Sequence, residues 1–225
     1  MAWEKTGRAV AFGALDPKRV ELTPDGGIVV GGYGVSGPRV DRYDGGGNAL
    51  WTRLYHDSAG DWMTLQSLIP TADGGSAFCG RVLRGATAPQ PLVVKLDPDG
   101  NVEWATEYEI AHSPVNGTGL DLLETADGSF VVVGEATYSD DASPAGRTIN
   151  SLNAFCMKLD ADGEVIFSKV YGGIGYDRAS AAAEGADGTL ALVGSVALET
   201  HPSWILGFDG AGSILWSLTR AGSCG

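Results

Sequence analysis

The sequence predicts an all-β fold made of four similar four-stranded units, and three observations support this prediction. Two short motifs, each centred on an Asp-Gly or Gly-rich turn, alternate four times along the 225 residues. The apolar runs between the motifs are short and rich in Val, Ile, Leu and Phe, which favours strands. No helical periodicity competes with these runs.

The first motif has the pattern Thr-x-Asp-Gly in three of its four copies. The copies are "TPDGGIVVGG" from Thr23, "TADGGSAFCG" from Thr71, "TADGSFVVVG" from Thr125 and "GADGTLALVG" from Gly185. Asp-Gly pairs tolerate the positive φ that two-residue hairpin turns require. We therefore predict that each copy joins two antiparallel strands, A and B.

The second motif ends in an aromatic residue seven positions after its first aspartate. Its copies are "YDGGGNALW" at 43–51, "LDPDGNVEW" at 96–104, "LDADGEVIF" at 159–167 and "FDGAGSILW" at 208–216. The same turn chemistry predicts a hairpin between strands C and D. The tryptophans at this strand position, Trp51, Trp104 and Trp216, together with Trp3, are interpreted as packing residues.

The stretch "DPDGN" also resembles the start of a calcium loop. An EF-hand loop needs a glutamate at position twelve, and position twelve counted from Asp97 is Tyr108. The equivalent turns "DGGGN" and "DGAGS" lack the second carboxylate. These differences favour a structural turn.

Units of four strands and about 56 residues are typical of β-propeller blades. Continuous apolar runs such as "GIVVGG" and "FVVVGE" suit sheets that are buried on both faces. The sequence thus predicts one β-propeller domain, residues 1–225, of four four-stranded antiparallel blades. The blades are expected at about 16–57, 58–110, 111–172 and 173–220, with an extra outer strand in residues 1–10.

The repeats resemble the Asp-Gly-rich β-propeller repeats of bacterial and archaeal proteins. The resemblance rests on T-x-DGG, on KLD-x-DG-N-x-x-W and on "VYGGIGYDRA" at 170–179, and it covers nearly the whole chain. It implies the propeller fold, a secreted or cell-surface location, and a role in binding or scaffolding.

Composition narrows the range of partners. Lys and Arg number 15 and Asp and Glu 28, so the net charge is −13, which disfavours nucleic acid and membrane surfaces. Small molecules, carbohydrates and proteins remain as partners. The first residues, "MAWEKTGRAV", lack the pattern of an export signal. Three cysteines, Cys79, Cys156 and Cys224, cannot form a disulfide framework, and we expect no bridge.

Differences between the copies indicate where binding occurs. The spacing from the A–B aspartate to the C–D aspartate is 19, 24, 33 and 22 residues, and the longest B–C connection is the polar segment 137–153. B–C and D–A connections emerge on one face, and variable loops on a rigid scaffold usually carry binding. The ligand-binding candidates on that face are Trp62, Tyr138, Asp140, Arg147, Tyr176, Arg178, His201 and Trp204.

Four oxygen-bearing residues lie 9 to 12 positions before the A–B aspartates: Asp16, Asp61, Asn116 and Asp177. In a closed four-blade ring they would converge on the central channel as ligands for calcium or another divalent metal. His56 and His112 are candidates for a catalytic base beside such an ion. The alternative is that these aspartates cap turns or pair with arginines, and their unequal offsets of 9, 12, 11 and 10 favour that alternative.

Two function classes follow. The first is a non-catalytic binding or scaffold propeller that recognises its partner on the loop face. The alternative is a metal-assisted hydrolase of esters, lactones or phosphotriesters. The segment "GYGVSG" at 32–37 is a loop because Pro38 and a strand-like run follow it, and no other catalytic motif is present. The sequence therefore favours the binding class.

The ends of the chain raise the question of closure. "AWEKTG" near the start and "SILWSLTR" near the end both match strand D, so five D strands accompany four each of A, B and C. Three alternatives remain open: an extra edge strand on a closed four-blade ring, four blades of a larger ring, or a homodimer in which two copies close one ring.

Overall fold

The computed structural model describes residues 3–5, 15–57, 59–85, 87–110, 116–140, 149–172, 176–196 and 203–220. These residues form only strands, turns and connections. Among them there is no helix with the length and apolarity needed to cross a membrane. The chain divides into two compact units, Met1–Tyr108 and Glu109–Gly225.

The first unit contains two antiparallel sheets, whose strand orders are β1-β5-β4-β3-β2 and β10-β9-β8-β6, with β7 also paired to β8. Its strands are β1 (Trp3–Lys5), β2 (Asp16–Leu22), β3 (Ile28–Tyr33), β4 (Pro38–Tyr43), β5 (Ala49–Asp57), β6 (Trp62–Met63), β7 (Ser67–Pro70), β8 (Ser76–Leu83), β9 (Gln90–Leu96) and β10 (Val102–Glu107). Blade 1 is β2 to β5. Blade 2 is β6 to β10, in which β6 and β7 together take the place of strand A.

The second unit contains two four-stranded antiparallel sheets in simple sequential order. Blade 3 consists of β11 (Asn116–Glu124), β12 (Phe130–Asp140), β13 (Ile149–Leu159) and β14 (Val165–Tyr171). Blade 4 consists of β15 (Arg178–Glu184), β16 (Leu190–Ser195), β17 (Ser203–Phe208) and β18 (Ile214–Arg220). The predicted four-stranded antiparallel units are therefore confirmed in all four copies.

The turns differ from the predicted two-residue type. In blade 1 the amide of Gly26 donates to the carbonyl of Thr23 at 2.9 Å, and the amide of Thr23 donates to the carbonyl of Gly27 at 3.0 Å. This is a three-residue hairpin whose last residue, Gly26, has a φ of 81°. One positive φ per turn suffices here, so only the first glycine after the aspartate is required by the turn.

Each unit has its own apolar core. In the first unit Phe78, Leu65 and Leu68 lie at its centre, and in the second Phe208, Leu192 and Val133 do. Cys79 and Cys156 are buried and free, as expected for small apolar residues, and burial raises the pKa of the Cys156 thiol. Cys224 lies outside the described residues.

Residues 3–5 add a strand at the outer edge of blade 1. Strand β1 pairs with β5 in antiparallel register, with Trp3 opposite Asp57 and Lys5 opposite Tyr55. The first sheet therefore has five strands, and β1 covers the backbone groups that β5 would otherwise present at an open edge.

Candidate functional site

The Asp-Gly end of the blades is held by an internal network. In blade 1 the Thr23 hydroxyl donates to Asp25 at 2.6 Å, and the buried Arg42 guanidinium donates to the same carboxylate at 2.7 Å. The A–B turn is thus tied to strand C. We call this arrangement the turn clamp: a threonine, the A–B aspartate and a cation two residues before the C–D aspartate.

Blades 2 and 3 repeat the turn clamp. Lys95 donates to Asp73 at 2.6 Å and Lys158 donates to Asp127 at 2.9 Å, while Thr71 and Thr125 donate to those aspartates. These hydrogen bonds lower the pKa of Asp127, and at Asp73 they lower the pKa against the partial burial that acts to raise it. Lys95 also donates to Glu103 at 2.8 Å. The clamp thus gives the threonine, aspartate and basic side chains of these turns a structural role.

A cleft of about 250 Å³ opens at the same end of the first unit, lined by Pro24, Asp25, Arg42, Leu50, Gly74 and Pro98. Its two charged groups, Asp25 and Arg42, are already paired with each other. The cleft therefore has a largely apolar wall, and the charges of Asp25 and Arg42 compensate each other.

At the opposite end of blade 3 the ladder between β12 and β13 is long. The β12–β13 register runs from Phe130 opposite Leu159 to Asp140 opposite Ile149. Strand β11 reaches only as far as Thr137, and β14 only as far as Ala154. Among the described residues, the backbone of 138–140 and 149–151, which we call the blade 3 arm, therefore extends beyond the paired residues of both neighbouring strands.

The blade 3 arm corrects the expected shape of segment 137–153. Its ends are strand rather than loop, because the β12–β13 ladder continues into them. Blade 1 shows the opposite extreme, since a short turn joins β3 to β4, in which Gly34 donates to the carbonyl of Gly37 at 2.8 Å. Equivalent connections thus range from a minimal turn to a projecting ladder.

Several predicted residues meet at the base of the blade 3 arm. Asn116 lies opposite Thr137, Thr137 lies opposite Leu152, and Leu152 forms a parallel bridge with Tyr176. The amide of Asp177 donates to the carbonyl of Leu152. We call this region the arm base, and it consists of Asn116, Asn153, Gly172, Tyr176, Asp177 and Arg178.

The arm base is rich in hydrogen-bond acceptors. Asp177 is only 5% exposed, and a Cβ at Gly172 would collide with its carboxylate and with the side-chain oxygen of Asn153. The side-chain oxygens of Asn116 and Asn153 are buried and have no donor among the described residues. Since buried acceptors without a donor are costly, this is a place where a bound group with donors is favoured.

The rim of the arm base is exposed and mixed in character. Tyr176 is 66% exposed. The Arg178 guanidinium lies 3.6 Å from the Glu135 carboxylate. An exposed aromatic ring beside charged and acceptor groups can contact both apolar and polar parts of a ligand.

The residues predicted as a metal set fall into both units. Asp61 pairs with Arg84 at 2.6 Å, and Asp16 lies 3.3 Å from Lys18. Asn116 and Asp177 belong to the arm base. In the described ranges, no group of three or more His, Cys, Asp and Glu side chains is arranged to hold a metal ion. The metal site stays a prediction.

The other candidates have separate surroundings. Trp62 is half exposed on β6, with the Arg81 guanidinium 5.3 Å from its ring. Trp204 lies in the core of the second unit, and its indole nitrogen donates to the Arg178 carbonyl at 3.3 Å. Packing accounts for Trp204, because β17 is a central strand of blade 4. His56 is partly buried on β5.

Five predictions concern residues or side chains that the structure does not describe. Tyr138 and Asp140 lie on the backbone of the blade 3 arm, but their side chains are outside the described set. His112, Arg147 and His201 lie outside the described residues altogether.

Solved structures with similar folds come from several organisms. A protein of unknown function from Dyadobacter fermentans DSM 18053 has a TM-score of 0.60 at 12% identity, over 92% of this chain and 69% of that one. The WD40 domain of Neurospora crassa Pan2 has a TM-score of 0.55 at 11% identity, over 91% of this chain and 50% of that one. A Bacteroides caccae protein of unknown function has a TM-score of 0.52 at 13% identity, over 91% of this chain and 61% of that one.

The chain thus spans about half to two thirds of the length of these structures. No protein-family model and no curated protein sequence matched it. At such low identities the likeness shows the fold alone. WD40 domains are β-propellers, so the four antiparallel sheets place this chain in the predicted class, an all-β propeller of four blades.

Proposed function

We propose that this chain is a non-catalytic binding or scaffold propeller that recognises its ligand at the blade 3 arm and the arm base. The observation that carries the proposal is the β12–β13 ladder, which continues for three residue pairs beyond Thr137 and Leu152. A variable connection that reaches outward from a rigid sheet is a common place for binding. We also propose that this chain belongs to the family of Asp-Gly-rich propeller repeats, which its motifs resemble.

The chemistry of the arm base indicates the class of ligand. The buried side-chain oxygens of Asn116 and Asn153 are hydrogen-bond acceptors that have no donor among the described residues. A ligand with several hydroxyl or amine donors fits this set, and the Tyr176 ring supports its apolar part. A carbohydrate or a protein segment with exposed amines has this character.

Glycan and peptide arrays probed with the full chain test the proposal. The decisive variant replaces residues 138–151 with Asn-Gly, which closes a hairpin directly on the Thr137–Leu152 pair. We expect binding to be lost while far-ultraviolet circular dichroism stays unchanged. Tyr176→Ala is expected to weaken the same hits without altering the backbone.

The matched control is Val35→Ala, in the short β3–β4 turn at the same end of blade 1, where the valine is exposed. It is expected to bind as the parent chain does. Array hits that survive shortening of the blade 3 arm would place recognition elsewhere and would overturn the proposal.

A further inference from the structure

Blades 1 and 2 meet through an aromatic joint. The indole nitrogen of Trp51 donates to the Pro98 carbonyl at 2.9 Å, and the hydroxyl of the buried Tyr55 donates to the Gly100 carbonyl at 3.0 Å. A Cβ at Gly100 would lie 3.0 Å from the Trp51 ring. Strand D of one blade is thus seated on the C–D turn of the next.

Blades 3 and 4 repeat the same joint. The hydroxyl of Tyr171 donates to the Gly212 carbonyl at 3.1 Å, and a Cβ at Gly212 would lie 2.8 Å from the Phe167 ring. In both joints a tyrosine follows the aromatic residue by four positions. The joint therefore has two halves: an aromatic residue with a donor four positions later, and a turn whose third residue is glycine.

One half of a further joint is left exposed on β18. Trp216 occupies the position of Trp51 and is 47% exposed, and the equally exposed Leu218 lies on the same side of the strand. Arg220, a hydrogen-bond donor, stands where the tyrosine stands in blades 1 and 3. One side of the Trp216 ring covers Gly207 of its own blade, and the ring retains a solvent-exposed surface.

The complementary half is exposed in blade 1. The turn Asp44–Asn48 contains Gly45, Gly46 and Gly47, and all three are exposed. Nothing lies within 4 Å of a Cβ built on Gly47, whereas the equivalent Gly100 and Gly212 are buried under aromatic rings.

We propose that β18 of one copy docks on the turn Asp44–Asn48 of a second copy. The Trp216 ring covers Gly47, as the aromatic rings do in both joints within the chain. Its indole nitrogen donates to the Gly45 carbonyl, as that of Trp51 does to Pro98, and Arg220 donates to the Gly47 carbonyl in place of the tyrosine. Because each copy carries both halves, two such joints close a symmetric dimer. This inference does not depend on the proposed ligand site, which lies on other residues.

Sedimentation velocity of the full chain over a range of concentrations tests the joint. We expect a reversible self-association that Trp216→Glu weakens by about tenfold or more, as truncation of an aromatic anchor does. Leu215→Glu is the matched control, because Leu215 is 56% exposed on the opposite side of β18. It is expected to leave the association constant unchanged.

The turn half is tested by Gly47→Asn, since asparagine tolerates the φ of 81° at this position and its Cβ meets nothing within the chain. The added side chain occupies the place of the Trp216 ring. Gly26→Asn is its control, with the same φ of 81° and the same open surroundings in the A–B turn.

Mixing the two variants separates the joint from a general loss of stability. Trp216→Glu and Gly47→Asn are each expected to be monomeric alone, and their mixture is expected to form a complex through the one intact joint. A parent chain that stays monomeric at every concentration overturns the proposal, and so does an association that neither variant weakens.

Discussion

Blade 4 differs from the other three blades in how its A–B turn is held. Blades 1 to 3 all have the turn clamp of threonine, aspartate and cation. In blade 4 the threonine position is Gly185 and the cation position is Gly207. Asp187 keeps only the local turn contact, in which it accepts a hydrogen bond from the Thr189 amide at 3.0 Å.

The comparison shows that the A–B aspartate has two separate roles, which are to form the turn and to connect it to strand C. The hairpin forms in blade 4 without the clamp, because the aspartate and the positive φ of the following Gly188 suffice for the turn. The clamp adds a tie between the turn and strand C. Blade 4 fills the same space with the Trp216 ring over Gly207.

The largest effect is expected from Lys95→Met, which removes the clamp cation of blade 2. Lys95 has a side chain only 6% exposed and donates to both Asp73 and Glu103. Losing hydrogen bonds to charged groups is expected to lower the free energy of unfolding by about 2 kcal/mol. Urea denaturation measures this. Lys169→Met, an exposed lysine on β14, is the control and is expected to change little.

A smaller loss is expected from Thr125→Val in blade 3. The valine keeps the shape of the side chain but removes the hydroxyl that donates to Asp127 at 2.5 Å. One hydrogen bond is worth about 1 kcal/mol, and the free energy of unfolding should fall by that amount. If the variant were as stable as the parent chain, the threonine would not belong to the clamp.

The pH dependence of stability sharpens the comparison. Hydrogen bonds from Thr125 and Lys158 hold the pKa of Asp127 well below its ordinary value of 3.8. A folded pKa below the unfolded one stabilises the protein above about pH 4, and this contribution is lost as the pH falls through the folded pKa. The stability difference between the parent chain and Asp127→Asn is therefore expected to shrink from pH 5 downward.

Asp187→Asn is the partner experiment in blade 4. The pKa of Asp187 is also lowered, chiefly by hydrogen bonds from the Thr189 amide and hydroxyl, and no cation contributes to this shift. We expect the stability difference between the parent chain and Asp187→Asn to depend less on pH than the difference for Asp127→Asn, measured in the same denaturation series. If the stability difference changed equally with pH for the two variants, the cation would contribute nothing to the pH dependence.

The smallest effect is expected from metal removal. Asp61 and Asp16, two members of the predicted metal set, lie beside Arg84 and Lys18, and a cation bound there would have to displace them. We expect an unchanged Tm after EDTA treatment. About one calcium per chain together with a drop in Tm after EDTA treatment would instead support the metal-assisted hydrolase. In that case Asp177→Ala is expected to abolish both the bound calcium and the effect of EDTA on the Tm.

The fold was predictable because its turns are local. Each Asp-Gly turn depends on four or five consecutive residues, and all four copies of each motif form the expected hairpin. The turn clamp joins residues 17 to 31 positions apart, and sequence reasoning missed it. A pattern for it exists, since the threonine and the basic residue are present together in blades 1 to 3 and absent together in blade 4.

The candidate site was predictable only in part. Asn116, Tyr176 and Asp177 were expected on the loop face, and the structure brings them together at one blade. Asn153 and Glu135 were missed because their proximity depends on the register of β12 and β13. Trp204 was expected among the ligand-binding residues of the loop face, but it packs in the core of the second unit, and the sequence pattern does not distinguish a recognition residue from one that fills a local gap.

The missing clamp in blade 4 has a consequence for local opening. In the other three blades an ion pair fastens the A–B turn to strand C, so the end of the sheet cannot fray without breaking it. Blade 4 opens at that end without breaking such an ion pair. Amide protons at the turn ends of β16 and β17 should therefore exchange with solvent sooner than those of β12 and β13, which makes blade 4 the first part of the second unit to unfold.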